Sequence, residues 1–145
     1  MSKGFKAGDI VEIPLPSGKV AIGWIVYVSN YFKSIIGLIG YGFKGMDLNR
    51  IGVVLPATPP IYTAIEAAKH YQWAAVGRKP VDEAALLTTE RIVGGEVFVG
   101  DQCVRSATDE DRERLHKMLV KGMPLVHEEL EEIGAKQDSN GSACE

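Results

Sequence analysis

The side chains with chemistry to offer are three histidines, two cysteines and a run of glutamates. His70, His116 and His127 lack the i, i+4 spacing that puts two imidazoles on one helical face, so no metal site follows from them and no cofactor is called for. Cys103 lies in Asp101-Gln102-Cys103-Val104-Arg105 and Cys144 in a polar stretch; they form no paired-cysteine motif, and a Cys/His nucleophile would need the fold to join distant residues. Cys103 is expected as a small buried side chain, and His116 and His127, beside Lys117 and Glu128, as solvent-facing helix residues. The segment Gly37-Leu38-Ile39-Gly40-Tyr41-Gly42 does not match a dinucleotide fingerprint, and Gly42-Phe43-Lys44-Gly45 lacks the Walker spacing; these glycines suit strand curvature. Glu128 with Glu131 or Glu132 could pair for acid–base work, yet repulsion between exposed acids favours a solvated surface. No catalytic constellation emerges, and the chain reads as non-enzymatic.

What remains is binding. Tyr31-Phe32-Lys33, between two strand candidates, places an aromatic pair on a loop where it can anchor a protein partner or stack on a base. Charge disfavours nucleic acid: sixteen basic against nineteen acidic side chains leave −3 and no excess positive field for a phosphate backbone. The charge is also uneven. Residues 1–107 carry eleven basic and nine acidic side chains (+2), and residues 108–145 five basic and ten acidic (−5). Such runs are usually solvated helix faces, but an acidic face also attracts a basic partner. The candidate partner-binding residues are therefore Tyr31, Phe32, Glu128, Glu129, Glu131 and Glu132.

Positioning these residues falls to a β-rich first part and a helical last part. Ile10, Val11 and Ile13, then Pro16-Ser17-Gly18, then the apolar run Val20 to Val28 predict a β-hairpin with Pro14 at a strand end. The second strand is apolar on both faces, so at least one end of it should be covered on both sides. Residues 34–43 suit a bent, bulged strand, and Ile51 to Leu55 and Tyr71 to Val76 are shorter strand candidates. Ile61 to His70 is balanced between extended chain and helix, because its alanines and its β-branched residues pull in opposite directions. Arg91 to Gly100 predicts a second hairpin turning at Gly94-Gly95. Thr108-Asp109-Glu110-Asp111 is an N-cap followed by acids, opening a helix over Asp109 to Lys121 with Leu115, Met118 and Leu119 as its stripe. Pro124 suits the first turn of another helix, in which Val126, Leu130 and Ile133 line one face and Gly134 ends the pattern. The fold class is α+β: a twisted antiparallel sheet or small partly open β-barrel in the first two thirds, with two C-terminal helices packed on it. Residues 1–134 form one domain and 135–145 a tail too polar to order.

A chain of 145 residues buries enough surface to need no disulfide or metal staple. The opening Met1-Ser2-Lys3-Gly4-Phe5-Lys6 lacks a signal-peptide pattern and the longest strongly apolar run is Val20 to Val28, so the expected compartment is the cytoplasm, with no membrane partner.

Two stretches stand out together: Gly8-Asp9-Ile10-Val11-Glu12-Ile13-Pro14-Leu15-Pro16-Ser17-Gly18-Lys19 before a long apolar strand, and later Trp73-Ala74-Ala75-Val76-Gly77-Arg78-Lys79-Pro80. Over about the first eighty residues, this order resembles the immunity protein 26 family of bacterial polymorphic toxin systems. The resemblance implies a non-catalytic cytoplasmic protein that binds and neutralises a cognate protein toxin. It also favours an extended Ile61 to Ile65 before a turn at Trp73. Gly8, Asp9, Trp73 and Gly77, which match best, suit structural roles as turn glycine, capping acid and core tryptophan. The glycine-rich segment and the two helices have no counterpart in the family pattern. The competing readings are a small β-barrel adaptor or nucleic-acid-binding module, motivated by Tyr31-Phe32-Lys33, and an enzyme built around Cys103 and a histidine.

Overall fold

The computed structural model describes residues 5–29, 35–43 and 60–143. Tyr31, Phe32, the strand candidate at 51–55 and Cys144 lie outside the described residues. The hairpin forms as its sequence predicts: β1 (Asp9–Pro14) ends on the proline that cannot donate to a ladder, and β2 (Val20–Val28) returns antiparallel to it. β3 (Ile35–Phe43), β4 (Ile61–Ala64) and β5 (Ala74–Arg78) complete a five-stranded antiparallel sheet in the order β4-β3-β2-β1-β5. The sheet is not closed, so of the two forms expected the antiparallel sheet is found and the partly open barrel is not.

The ambiguous stretch is resolved by division. Ile61, Tyr62 and Thr63 extend beside β3, and the chain then coils into α1 (Ile65–His70), where the alanines lie. Helix α1 closes with Gln72 in the left-handed region (φ 65), while the Trp73 and Gln72 amides return to the Ala68 and Lys69 carbonyls. This turn uses Tyr71 and Gln72, so β5 starts at Ala74, three residues after the expected strand.

A second sheet, β6 (Arg91–Val93), β7 (Glu96–Val99) and β8 (Gln102–Ser106), follows a short α2 (Glu83–Leu87) capped by the Asp82 carboxylate. Gly94 and Gly95 both adopt positive φ, as a two-residue reversal of this hand requires.

The helical third departs most from expectation. The capping box of Thr108 and Asp111 opens α3 (Asp109–Arg114), but the helix ends there and does not reach Lys121. Residues 115–121 instead run extended as a strap. Ile92 donates to the His116 carbonyl and accepts from the Met118 amide (2.9 and 3.0 Å), and the Lys121 amide donates to the Tyr62 carbonyl (2.8 Å). These bonds tie the strap to the outer edges of β6 and β4, and they outweigh the helical stripe of Leu115, Met118 and Leu119. The long helix α4 (Met123–Ala143) then packs on β3. It passes Gly134, which is buried against the core, and continues to Ala143 through the stretch expected to be a disordered tail; once the helix is docked, each further residue adds a hydrogen bond at little cost.

Two clusters fill the two faces of the large sheet. Val11, Ile13, Ile25, Ile36, Leu38, Trp73, Met123, Val126 and Leu130 form one under α1 and α4. Ile10, Ile22, Trp24, Val26, Tyr27, Ile39 and Tyr62 form the other, joined by Met118 of the strap. The pairing of Ile25 with Leu38 and of Tyr27 with Gly37 leaves Val26 as an extra residue. This bulge lets Val26 and Tyr27 both serve the second cluster, while Val28 packs against the first. Gly40 lies directly under α4, where an added Cβ would sit 3.0 Å from side-chain carbons of Leu130 and Ile133. Gly40→Val should therefore destabilise the protein by about 1–3 kcal/mol through overpacking, read from its urea midpoint.

Candidate functional site

The bulge at Val26 turns the Tyr27 ring toward a buried cation. Arg91, at the start of β6, is fully buried, with its guanidinium 5.0 Å from the Tyr27 ring centre and 5.2 Å from that of Tyr62. Its Nη1 donates to the carbonyls of Thr89 (2.9 Å) and Gly100 (2.8 Å), and its Nη2 lies 3.4 Å from Met118 Sδ in the strap. The Thr89 hydroxyl accepts from the Gly100 amide at 2.9 Å, holding the second acceptor in place. The Tyr27 hydroxyl donates to Asp101, which also accepts from Ser29 Oγ at 2.6 Å. Burial and the Asp101 carboxylate push the Tyr27 phenol up, and burial raises Tyr62 well above the usual phenol range, so both stay protonated. This arrangement joins β2, β4, β6 and the strap, a structural task in which the buried Arg91 has no open face for a substrate, while Tyr27, Gly100 and Asp101 border a wide cavity of about 620 Å³.

Beyond Tyr62 lies a surface with room for one. His116 stacks on the Tyr62 ring (5.9 Å between centres, 23° between planes), with the Tyr62 hydroxyl 3.3 Å from its Nε2. These two rings form part of a cavity of about 250 Å³ between the strap and α4, which Ile61, Lys117, Leu119, Lys121, Glu129, Glu132 and Ile133 also line. Lys121 Nζ meets Glu129 Oε2 at 2.5 Å across it. Burial, then the positive charges of Arg91 and Lys121, hold the His116 imidazole below its ordinary value.

The four glutamates expected to face a partner do not act alike. Glu128 and Glu132 are exposed on the outer side of α4, Glu132 on the cavity rim. Glu129 is half-buried in its ion pair, and Glu131 sits on the opposite flank beside His127. Among the described residues no ion pair involves Glu128, Glu131 or Glu132. Next to them Leu119, Val120 and Leu125 are 61%, 48% and 52% exposed. Leu119 was expected on an amphipathic stripe; it belongs to an extended strap that turns it outward. That patch and the cavity escape a reading of the sequence, because both depend on the strap replacing a helix.

Cys103, His70 and His127 do not line the cavity between the strap and α4. Cys103, expected to be buried, is exposed on edge strand β8, and its thiol donates to Glu96 Oε2 at 3.2 Å. That hydrogen bond raises the thiol's pKa, which weakens it as a nucleophile. His127 is buried, not solvent-facing, because it lies on the flank of α4 that packs toward Tyr71 (5.3 Å between rings); burial lowers its pKa, with Glu131 opposing. His116 likewise is half-buried in the strap, not on a helix surface. His70 remains exposed. Among the described residues no group of three His, Cys, Asp or Glu side chains could hold a metal ion, and no helix is long and apolar enough to cross a membrane. Gly8, Asp9 and Trp73 have the structural roles suggested for them: Asp9 caps the Lys6 amide (2.9 Å) and pairs with Arg78 (3.1 Å), and Trp73 lies in the core. Comparison of the chain with family models, curated proteins and solved structures finds no match.

Two outcomes test this account. Arg91→Lys keeps the charge but loses the planar fork and its place against two rings, so it should cost about 3 kcal/mol in unfolding free energy by denaturant titration. His116 and His127 both have folded pKa values below their unfolded value near 6.5. The unfolded chain therefore takes up protons first as pH falls, and stability should be full above pH 6.5 and decline below it until the folded imidazoles titrate. Replacing both by glutamine should flatten that decline in urea midpoints measured from pH 7 to pH 5; an unaltered slope refutes the assignment.

Proposed function

We propose that this chain is a non-catalytic bacterial immunity protein that acts in the cytoplasm by binding and neutralising a cognate protein toxin. The observation that carries the reading is the outer face of α4 with the adjoining strap, where Glu128 and Glu132, which have no ion pair among the described residues, border exposed Leu119 and Leu125. Apolar side chains beside exposed carboxylates suit a protein partner with basic groups, since the apolar part contributes affinity and the charges speed encounter. The N-terminal resemblance supports the same reading, for its motif residues build β1, β2 and β5, which carry the core on which α4 rests. The weakened Cys103 thiol fits a role without catalysis.

Capture of the tagged protein from lysate of its source cells should recover one large secreted protein held through its C-terminal domain, whereas recovery of nucleic acid would favour the adaptor reading. With that toxin in hand, Glu128→Lys combined with Glu132→Lys should slow association about tenfold at low salt and flatten its salt dependence, measured by stopped flow. Unchanged association rates would remove α4 from the interface.

A further inference from the structure

We infer that α4 is a releasable helix, held on the large sheet by side chains and gated by the buried imidazole of His127, so that acid frees it from β3 while both sheets stay folded. Among the described residues no backbone hydrogen bond joins α4 to a strand, and the ion pair of Glu129 with Lys121 reaches only the strap. The strap is fastened differently: besides its backbone bonds to Ile92 and Tyr62, its Lys121 carbonyl accepts from Thr63 Oγ1 at 2.8 Å. One kind of attachment gives way to the other at exposed Gly122, where the lack of a side chain leaves backbone rotation open. The helix can therefore lift away without breaking a sheet ladder, which places its release among the less costly openings of the structure.

The docking face of α4 is an apolar stripe with one exception. Met123, Val126 and Leu130 are buried in the core cluster, and His127, 8% exposed, fills the remaining place of the i, i+3, i+4, i+7 pattern. Its Nε2 is buried without a hydrogen-bond partner. Whichever nitrogen carries the proton in the neutral ring, the imidazolium presents N–H at both, so a charge here leaves a buried donor unanswered. The surrounding groups do not compensate. Tyr71, after α1, meets the ring edge-on at 5.3 Å, and behind it stands His70, 5.2 Å from Tyr71 and able to add positive charge of its own in acid. The core cluster offers apolar side chains such as Ile36 and Leu38, and α4 itself supplies Glu131 one turn on, whose attraction is smaller than the effect of burial. His116, in the strap, is a separate group: it faces Tyr62, Arg91, Lys117 and Lys121 and, from α4, Glu129 and Glu132.

The docked imidazole takes up a proton less readily than the released one, so docking is favoured above pH 6.5 and weakens as pH falls until the docked ring titrates. A surface on α4, the proposed partner face included, is then presented in place only while the ring is neutral; the inference itself does not depend on that partner. The test is amide hydrogen exchange of the ¹⁵N-labelled full chain, followed by NMR between pH 7 and pH 5.5 and corrected for intrinsic rates. Protection of Val126 to Gly134 should fall by up to about tenfold per pH unit, the slope of one proton, while Ile25, Ile36 and Leu38 keep theirs. His127→Phe, which retains a ring against Tyr71 but cannot charge, should remove that slope, and so should the smaller change His127→Gln. His116→Gln should leave it in place. A flat profile for α4, loss of protection in β2 and β3 in step with α4, a slope that survives both His127 variants, or a slope abolished by His116→Gln would each overturn the inference.

Discussion

A guanidinium buried between two tyrosine rings is the constraint on which this fold depends. Taking Arg91 out of water costs several kcal/mol, and the cost is tolerable only while fixed acceptors and aromatic faces surround the charge. The acceptors come from Thr89 and Gly100 on either side of the small sheet's first hairpin, and the aromatic faces from β2 and β4 of the large one. Neither sheet alone can satisfy this side chain. Its solvation therefore couples the sheets, and Met118 carries the coupling to the strap. The bulge in β2 follows from the same need, because without the extra residue at Val26 regular alternation would turn Tyr27 to the face under α4.

Once the sheets are joined in this way, four strand edges need protection from pairing with other chains. The strap covers two of them, β4 through Val120 and β6 through Lys117. The other two are bulged: the registers of β5 and β8 skip Val76 and Val104, and each bulge interrupts the straight ladder that an intruding strand would need. The end of α3 after six residues, where Leu115 turns extended, is what frees 115–121 for this duty. Arg105 and Arg114 hold that short helix to the sheet through Asp111 and Glu90, and the Arg105 hydrogen bond keeps the Asp111 carboxyl well below its usual range.

How much of this could be read from the residues depends on the range of the interactions. The hairpin, the bulged β3, the Gly94-Gly95 turn and the start of α3 at Thr108 are local, set by turn chemistry, capping and alternation, and they appear where the sequence puts them. Residues 115–121 read locally as helix because Leu115, Met118 and Leu119 have helical spacing. What overrides that spacing is backbone pairing with Ile92 and Tyr62, residues about 25 and 58 positions away, to which a local pattern is blind. Arg91 gave no signal for the same reason: an arginine opening a strand reads as solvent-facing until the tyrosines are brought to it. Of the candidate binding residues, Glu128 and Glu132 are on an open face as expected, Glu129 is engaged by Lys121, and Tyr31 and Phe32 lie outside the described residues.

The treatment of the edges bears on how a partner would be met. With β4 and β6 covered and β5 and β8 bulged, backbone pairing is a poor route of recognition, and side-chain contact is left. Exposed apolar side chains occur singly on β5 and β8, where Val76 and Val104 are the bulge residues themselves, so their exposure follows from edge protection. Leu119, Val120 and Leu125 have no such explanation. They cluster where the strap enters α4, beside carboxylates that have no ion pair among the described residues. The segment that closes two edges thereby forms, with its outward side chains, the apolar half of the surface proposed for the partner. A partner bound there would press the strap onto Tyr62 and Ile92, so binding would favour the same closed arrangement that Arg91 requires.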